Sequence, residues 1–290
     1  MTYEQLYGQI LKKQSFLCVG LDTDLEKIPL CVREQVRAAA LPEEEAVFAF
    51  NRQIVDATAP YCVAFKVNTA FYEALGWAGI VQMEKTAAYI KSNYPDIFLI
   101  ADAKRGDIGN TAKQYAKAFF ETMDFDAVTL SPYMGGDAIM PFLKYDGKWV
   151  IILTLTSNVT AEDFETLETR PHTMDVDDET QTHIPLYERV IGKSREWGTK
   201  DNIMYVVGAT RPGQLNRIRH LCPENFFLVP GVGVQGGRVE DVASAGLNSS
   251  CGLIINSSRG ILYASSTEKF AEAAAQKARE MALEMQAHLK

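Results

Sequence analysis

Two lysines and two aspartates in close spacing are the residues of this sequence best suited to chemistry. In the run FLIADAKRGDIGNT, Asp102 and Lys104 stand two residues apart after an apolar stretch, and Asp107 follows three residues later. Residues two apart in an extended chain point to the same side, so Asp102 and Lys104 are expected to lie together at a strand end. Lys66 lies near the end of an earlier apolar run, in AFKVN. Four such charges are costly to bury unless they pair with one another.

A purely structural role for these charges is the alternative. Asp102 and Lys104 would then form a salt bridge, and Asp107 would cap the following helix near its N-terminal dipole. A second group of residues favours chemistry instead. The glycines of PGVGVQGG, residues 230–237, let backbone N–H groups approach an oxyanion, and Arg259 in the run SSRG supplies a guanidinium suited to phosphate. The two groups together predict a site for a phosphorylated small molecule.

Eight short apolar runs would position these residues. They are continuous rather than alternating, which is typical of parallel strands buried on both faces. The runs are Phe16–Leu21, Cys62–Val67, Ile97–Ala101, Ala127–Leu130, Trp149–Leu155, Ile203–Val207, Phe226–Val229 and Leu253–Ile255. Amphipathic segments such as Val81–Ser92 and Thr111–Glu121 separate them, and this alternation predicts an α/β fold, a (β/α)8 TIM barrel forming one domain over residues 1–290. An open doubly wound sheet is the alternative.

The barrel interpretation assigns the candidate residues to one face. Active sites of such barrels form at the C-terminal strand ends, and phosphate is usually bound by the loops after strands 7 and 8. Lys66 ends strand 2, Asp102 and Lys104 end strand 3, and Arg259 follows strand 8. The charged residues and the glycine-rich run are therefore expected to meet at one end of the barrel.

Three segments lie outside the simplest barrel pattern. Residues 24–50 form a long connection after strand 1, in which a helix is expected to start at Glu43–Glu45. Residues 159–201 form a long loop or insertion after strand 5, and its acidic run ETLETRPHTMDVDDETQ is expected to be a solvated loop, with a lid over the site as the alternative. The N-terminal residues predict an amphipathic helix with Leu6, Ile10 and Leu11 on one side.

Composition and charge exclude several classes of protein. A net charge of -8 over 290 residues argues against broad electrostatic binding of nucleic acid or of an anionic membrane surface. We see neither a signal-peptide pattern nor a run of membrane-spanning length. The five cysteines are scattered and the four histidines lie away from the predicted strand ends, so no metal site is predicted. A reduced, cytoplasmic setting fits this pattern best.

The strand-end motifs resemble those of the orotidine 5'-phosphate decarboxylase family. The run ADAKRGDIGNT carries a D-x-K-x-x-D-I signature, which sugar-phosphate decarboxylases of the same superfamily share in part. Further runs are similar to the longer bacterial subfamily: FKVNTAFYEALG, SPYMGGDA, VGATRPGQL, LVPGVGVQGG and INSSRGILYA. The resemblance extends from Asp22 to Tyr263. It implies conversion of orotidine 5'-phosphate to UMP and CO2 in de novo pyrimidine nucleotide biosynthesis, with neither metal nor cofactor.

The resemblance also implies a role for each matching residue. The family's alternating array of lysines and aspartates corresponds to Lys66, Asp102, Lys104 and Asp107. Lys104 is the expected stabiliser and proton donor of the carbanion. The family enzyme is a homodimer, and the residues expected to reach into the partner's site are Asp107, Ile108 and Thr111.

The remaining matches concern substrate binding. Asp22 corresponds to the carboxylate that hydrogen-bonds the ribose hydroxyls, and Ser157 to the serine that reads the pyrimidine ring. Gln235 and Arg259 correspond to the phosphate ligands. The loops after strands 1 and 5 are longer than in smaller relatives, so the resemblance does not say which of residues 158–201 contact substrate.

Two other functions remain open at the level of sequence. A metal-dependent decarboxylase of 3-keto-L-gulonate 6-phosphate shares the strand 3 motif. It needs acidic metal ligands at the ends of strands 1 and 2, where this chain has Asp22 but also Lys66, and a lysine would repel Mg²⁺. A non-catalytic barrel that senses UMP is the second alternative, although a sensor has no evident need for four clustered charges.

Overall fold

Each of the eight apolar runs forms a strand of one parallel barrel. The computed structural model describes residues 1–170, 183–209, 212–232 and 237–289. The strands are β1 (Leu17–Gly20), β2 (Ala64–Asn68), β3 (Phe98–Arg105), β4 (Ala127–Leu130), β5 (Trp149–Leu155), β6 (Ile203–Val207), β7 (Phe227–Pro230) and β8 (Leu253–Ser257). Each strand pairs in parallel with the next, and β8 pairs with β1 to close the barrel. The predicted TIM barrel is confirmed, and the open doubly wound sheet is wrong.

Helices surround the barrel and connect its strands. Their bounds are α1 (Tyr3–Lys13), α2 (Leu30–Ala38), α3 (Glu45–Thr58), α4 (Thr69–Glu73), α5 (Gly76–Asn93), α6 (Gly109–Lys117), α7 (Gly136–Ile139), α8 (Leu186–Ser194), α9 (Pro212–Leu221), α10 (Val239–Gly246), α11 (Arg259–Leu262) and α12 (Phe270–Gln286). A π turn, Ala118–Thr122, extends α6, so both predicted amphipathic segments are helical. Within the described residues, no helix combines the length and the hydropathy that a membrane-spanning helix requires.

Burial on both faces explains the continuous apolar runs. Every residue of β1, β4 and β6 is buried. One set of side chains from each strand fills the barrel interior, and the alternate set packs under the helices. Charged side chains are therefore expected where a strand emerges, and it is at those ends that the predicted chemical residues lie.

The N-terminal helix α1 confirms its prediction with one correction. Thr2 and Gln5 form a reciprocal capping box at its start, and Tyr3, Leu6 and Ile10 are buried. Leu11, however, is 38% exposed, so its assignment to the buried side is wrong. It follows Ile10 by one residue, which is a rotation of about 100° around the helix axis and turns it away from the barrel.

The two long connections contain helices of their own. After β1, a short 3₁₀ turn and α2 precede α3, which begins at Glu45 as predicted. After β5, a 3₁₀ segment (Val159–Asp163) leads to a two-stranded antiparallel ribbon of Glu168–Thr169 and Ile184–Pro185, and then to α8. Helix α8 packs against β5 and α9, in the place of a barrel helix. Residues 171–182, most of the acidic run, lie outside the described residues.

Candidate active site

A cavity of about 600 Å³ opens at the C-terminal ends of the strands. Its volume lies in the range usual for small-molecule sites. The predicted site residues that line it are Asp22, Lys66, Asp102, Lys104, Ser157 and Arg259. They come from strands or strand ends far apart in sequence, and closure of the barrel brings them to one place. Gln235, the other predicted phosphate ligand, lies outside the described residues.

Charges of alternating sign form a chain across the floor of this cavity. The Lys66 Nζ lies 3.3 Å from Asp22 Oδ1 and 3.0 Å from Asp102 Oδ2. The Lys104 Nζ lies 2.5 Å from Asp102 Oδ1. Only 5% of the Lys66 side chain is exposed, against 51% of Lys104. At the buried end of this row of charges, Lys66 has a carboxylate on either side. At the other end, the Lys104 ammonium is exposed to the cavity.

Charged neighbours keep the two buried residues of this row, Asp102 and Lys66, ionised. Burial opposes the charged form of both Asp102 and Lys66, but their charged neighbours outweigh it. Lys66 and Lys104 lower the pKa of Asp102 to about 2. Asp102 and Asp22 raise the pKa of Lys66 above its ordinary value. Around neutral pH Asp102 and Lys66 are therefore both charged.

An irregular stretch of backbone turns Lys104 towards Asp102. Strands β3 and β4 pair in register up to Ala101, and the register then shifts before Arg105. Lys104 lies within this bulge and has a φ of 48°, in the left-handed region that residues with a side chain rarely adopt. Bulges beside active sites commonly redirect one side chain, and that is the effect here.

Two tyrosine hydroxyls fix the backbone that follows β1 and carries Asp22. The Tyr263 hydroxyl donates to the Asp22 carbonyl oxygen (3.1 Å) and accepts from the Asp24 N–H (2.8 Å). The Tyr72 hydroxyl donates to the Leu21 carbonyl at 3.0 Å. Gly20 has no room for a side chain, since a Cβ there would lie 1.9 Å from Ser258 Oγ. Sequence reasoning missed these supporting contacts, because a lone tyrosine is usually a packing residue.

The strand 5 end, with Ser157, is held by two further contacts. A Cβ on Gly208 would lie 2.9 Å from the Ser157 N atom, so β6 can approach only because residue 208 is glycine. The Glu165 carboxylate accepts a hydrogen bond from the Thr156 N–H (2.7 Å) and from its hydroxyl (2.8 Å). Glu165 begins the acidic run, so the expectation of a solvated loop is wrong for this residue.

Asp107, Ile108 and Thr111 do not line the cavity of their own chain. All three are exposed, and Ile108 is an apolar side chain with 41% exposure. The Asp107 Oδ1 accepts from the Ile108 N–H at 2.7 Å, yet Ile108 is itself the N-cap of α6, which has no side-chain cap. The alternative in which Asp107 caps its helix is therefore wrong.

The described start of the glycine-rich run and Arg259 both contribute to the cavity wall. Gly231, with a φ of 95°, and Arg259 both line the cavity. Gly237 admits no side chain, since a Cβ would lie 2.6 Å from the Ala209 Cβ. Within the ranges that the structure describes, the exposed Arg259 guanidinium forms no ion pair, which leaves its donors available to an anion.

The structure offers little to a metal ion. Among the described residues, no three His, Cys, Asp or Glu side chains form a group that could hold one. The two cavity carboxylates, Asp22 and Asp102, are bridged by the Lys66 ammonium, which lies where a cation between them would have to lie. All five cysteines are unpaired, and four of them are buried.

A (β/α)8 barrel with lysines and aspartates paired at its mouth, beside a glycine loop and an arginine, belongs to the class of barrel enzymes that act on small anionic substrates. The family model described as "Orotidine 5'-phosphate decarboxylase / HUMPS family" matches residues 15–274. The chain belongs to this family.

Full-length relatives share about half of its sequence. It is 52% identical over 286 residues to the orotidine 5'-phosphate decarboxylase of Phocaeicola vulgatus, with 99% of this chain and 98% of the relative covered. It is 52% identical over 289 residues to that of Christiangramia forsetii, with 100% and 99% covered. The solved structure of Leishmania donovani OMP decarboxylase superposes with a TM-score of 0.77 at 30% identity, covering 99% of both chains.

The lowered pKa of Asp102 predicts an acid-dependent contribution to stability. The folded-state pKa of Asp102, about 2, lies below the ordinary pKa of 3.8. The ionised carboxylate therefore stabilises the fold fully when the pH is above the ordinary pKa, and this stabilisation is lost as the pH falls towards the folded-state pKa. The advantage of the wild-type protein over Asp102→Asn in free energy of unfolding should shrink by about 1 kcal/mol between about pH 5 and pH 3. Urea unfolding at each pH measures it.

Asp96→Asn is the matched control, because the Asp96 carboxylate is 64% exposed and pairs loosely with Lys12 at 3.7 Å. Its difference from the wild-type protein should change little over the same range of pH. If the Asp102→Asn difference were independent of pH, the two lysines would not be holding Asp102 ionised.

Proposed function

We propose that this chain converts orotidine 5'-phosphate into UMP and CO2, a step of pyrimidine nucleotide biosynthesis, as a carboxy-lyase that uses neither metal nor organic cofactor. The family membership and the relatives that share half of its sequence support the reaction. The observation that carries the mechanism is the Lys104 ammonium, half exposed at the cavity and paired with Asp102 at 2.5 Å.

The chemistry of the reaction calls for such a group. Loss of CO2 leaves an electron pair on ring carbon 6, in an orbital that cannot delocalise into the π-system of the ring. A fixed cation at that point lowers the energy of the developing charge and can then donate the proton that completes the product. In the proposal, Lys104 has this role and Asp102 lies near the departing carboxylate. Lys66 holds Asp102 in place from the buried side.

The rest of the cavity would bind the remainder of the nucleotide. Asp22 is proposed to accept hydrogen bonds from the ribose hydroxyls, and Ser157 to read the pyrimidine ring. Arg259, together with Gln235, would bind the phosphate. Binding energy from phosphate, although remote from the reacting bond, can be used to align the ring against Lys104.

We also propose a homodimer in which Asp107, Ile108 and Thr111 complete the partner's site. Their exposure, outside their own cavity, supports this assignment. Large apolar side chains are exposed on the neighbouring connections, Trp77 beyond β2 at 82% and Tyr133 beyond β4 at 89%. Exposed apolar surface of this kind is suited to an interface with another chain.

Two alternatives are less well supported. The metal-dependent sugar-phosphate decarboxylase would need a cation between the carboxylates that Lys66 already bridges. A sensor of UMP would gain nothing from a half-exposed ammonium at the floor of the cavity.

The proposal includes a reduced, cytoplasmic setting, supported by the unpaired cysteines. It includes neither a nucleic acid nor a membrane as partner, in keeping with the net charge of -8.

Turnover of orotidine 5'-phosphate tests the reaction itself. The orotate absorbance should fall after mixing with catalytic amounts of the protein, and the rate should be the same after treatment with EDTA. Binding without a change in absorbance would favour the sensor. Loss of the activity with EDTA, restored by Mg²⁺, would favour the metal-dependent alternative.

Complementation between two inactive variants tests the shared site. Lys66→Ala and Asp107→Ala should each be nearly inactive, because every site of either homodimer lacks one charge. After subunit exchange, a hybrid dimer has one site with neither substitution, so up to about half of the sites in each hybrid should be active. No recovery after exchange has been demonstrated by mixed-tag capture would show that both residues serve one subunit's site.

A further inference from the structure

Thr129 lies at the centre of β4, directly beside the bulge that carries Lys104. Its hydroxyl donates a hydrogen bond to Asp102 Oδ1 at 3.0 Å. The oxygen of the Thr129 hydroxyl also accepts a hydrogen bond, from the Lys104 backbone N–H at 3.0 Å. One hydroxyl thus joins the carboxylate and the backbone of the two residues to which the proposed mechanism assigns the chemical step.

We propose that Thr129 is a positioning residue for decarboxylation, which sets the Lys104 ammonium and the Asp102 carboxylate in their reactive arrangement. This inference rests on the proposed function. Thr129 does not line the cavity and is fully buried, so it acts through its two neighbours and not on the substrate.

The register of the two strands explains why a hydroxyl is needed at this point. Between the pairs Ala101–Val128 and Arg105–Leu130, β4 has the single residue Thr129, whereas β3 has Asp102, Ala103 and Lys104. The Lys104 N–H faces the Thr129 hydroxyl, which takes the place of a backbone carbonyl in the ladder. Regular pairing resumes when the Ser131 N–H donates to the Arg105 carbonyl at 2.7 Å.

The chemistry of threonine suits both contacts. A hydroxyl can accept from an N–H and donate to a carboxylate at the same time, which no apolar side chain can do. The branched Cβ restricts rotation of the side chain, so the oxygen is held in one direction. The left-handed backbone of Lys104, with a φ of 48°, persists only where its surroundings hold it, and the bond from its N–H to Thr129 is one such restraint.

Asp102 is held at both of its oxygens. Lys66 binds Oδ2, whereas Lys104 and Thr129 both bind Oδ1. Without the hydroxyl, only the flexible and half-exposed Lys104 side chain would restrain Oδ1, and the Lys104 N–H would lose its acceptor. The distance between the ammonium and ring carbon 6 would then vary, which slows a step that depends on close alignment.

The test compares Thr129→Val with Thr129→Ser. Valine keeps the shape of the side chain and removes the hydroxyl, whereas serine keeps the hydroxyl. For orotidine 5'-phosphate, Thr129→Val should lower the single-turnover rate by at least tenfold and change KM by less than threefold, because the proposed ligands of ribose, ring and phosphate are untouched. Thr129→Ser should stay within threefold of the wild-type rate.

Two controls separate this effect from general destabilisation. Thr58→Val removes another fully buried hydroxyl, on α3, which donates to the Ile54 carbonyl of its own helix, and it should leave the rate unchanged. Thr129→Ala removes the hydroxyl without placing a methyl group against the carboxylate. It should show the same loss of rate, and it decides the matter if Thr129→Val does not fold.

The outcomes distinguish this inference from the proposed function. Wild-type protein is assayed first, and if it does not turn over orotidine 5'-phosphate, the proposed function fails and the inference with it. If the wild-type protein is active, a Thr129→Val rate within twofold of it overturns the inference alone. Equal losses in the serine and valine variants, or a raised KM at an unchanged rate, would also overturn it.

Discussion

The cost of removing charge from water is the constraint on which this site depends. Lys66 is almost entirely buried and Asp102 nearly so, and neither would remain ionised there without its partners. Parallel strands meet this constraint by bringing consecutive strand ends side by side. Between β1 and β2, Gly20, two residues before Asp22, is paired with Lys66. Between β2 and β3, Asn68, two residues after Lys66, is paired with Asp102. The chain of charges therefore follows from the barrel register.

The same arrangement leaves one charge open to solvent. Asp22 and Asp102 both pair with Lys66, and Asp102 has a second oxygen for Lys104, which is half exposed. A cation held against a buried carboxylate keeps its position without losing its access to the cavity. Such preorganisation is the main means by which an enzyme stabilises a charge that forms only in the transition state.

Much of the fold and most of the cavity lining could be predicted, because both follow from local patterns. Continuous apolar runs mark strands buried on both faces, and polar residues at their ends mark the barrel mouth. The supports could not be predicted in this way. Thr129 looks like an ordinary strand residue, and its role arises from a register shift between two strands. Glu165 reaches Thr156 through a fold of the long insertion that composition does not reveal.

The most direct test of the account is the rate of decarboxylation after the Lys104 amine is removed. Lys104→Ala should bind UMP with an affinity close to that of the wild-type protein, yet lose at least about 4 kcal/mol of transition-state stabilisation, roughly a thousandfold in kcat/KM for orotidine 5'-phosphate. Lys277→Ala, an exposed lysine on α12 paired with Glu280, is the control and should keep full activity. If the Lys104→Ala protein released carbon dioxide at the wild-type rate, the account would be wrong.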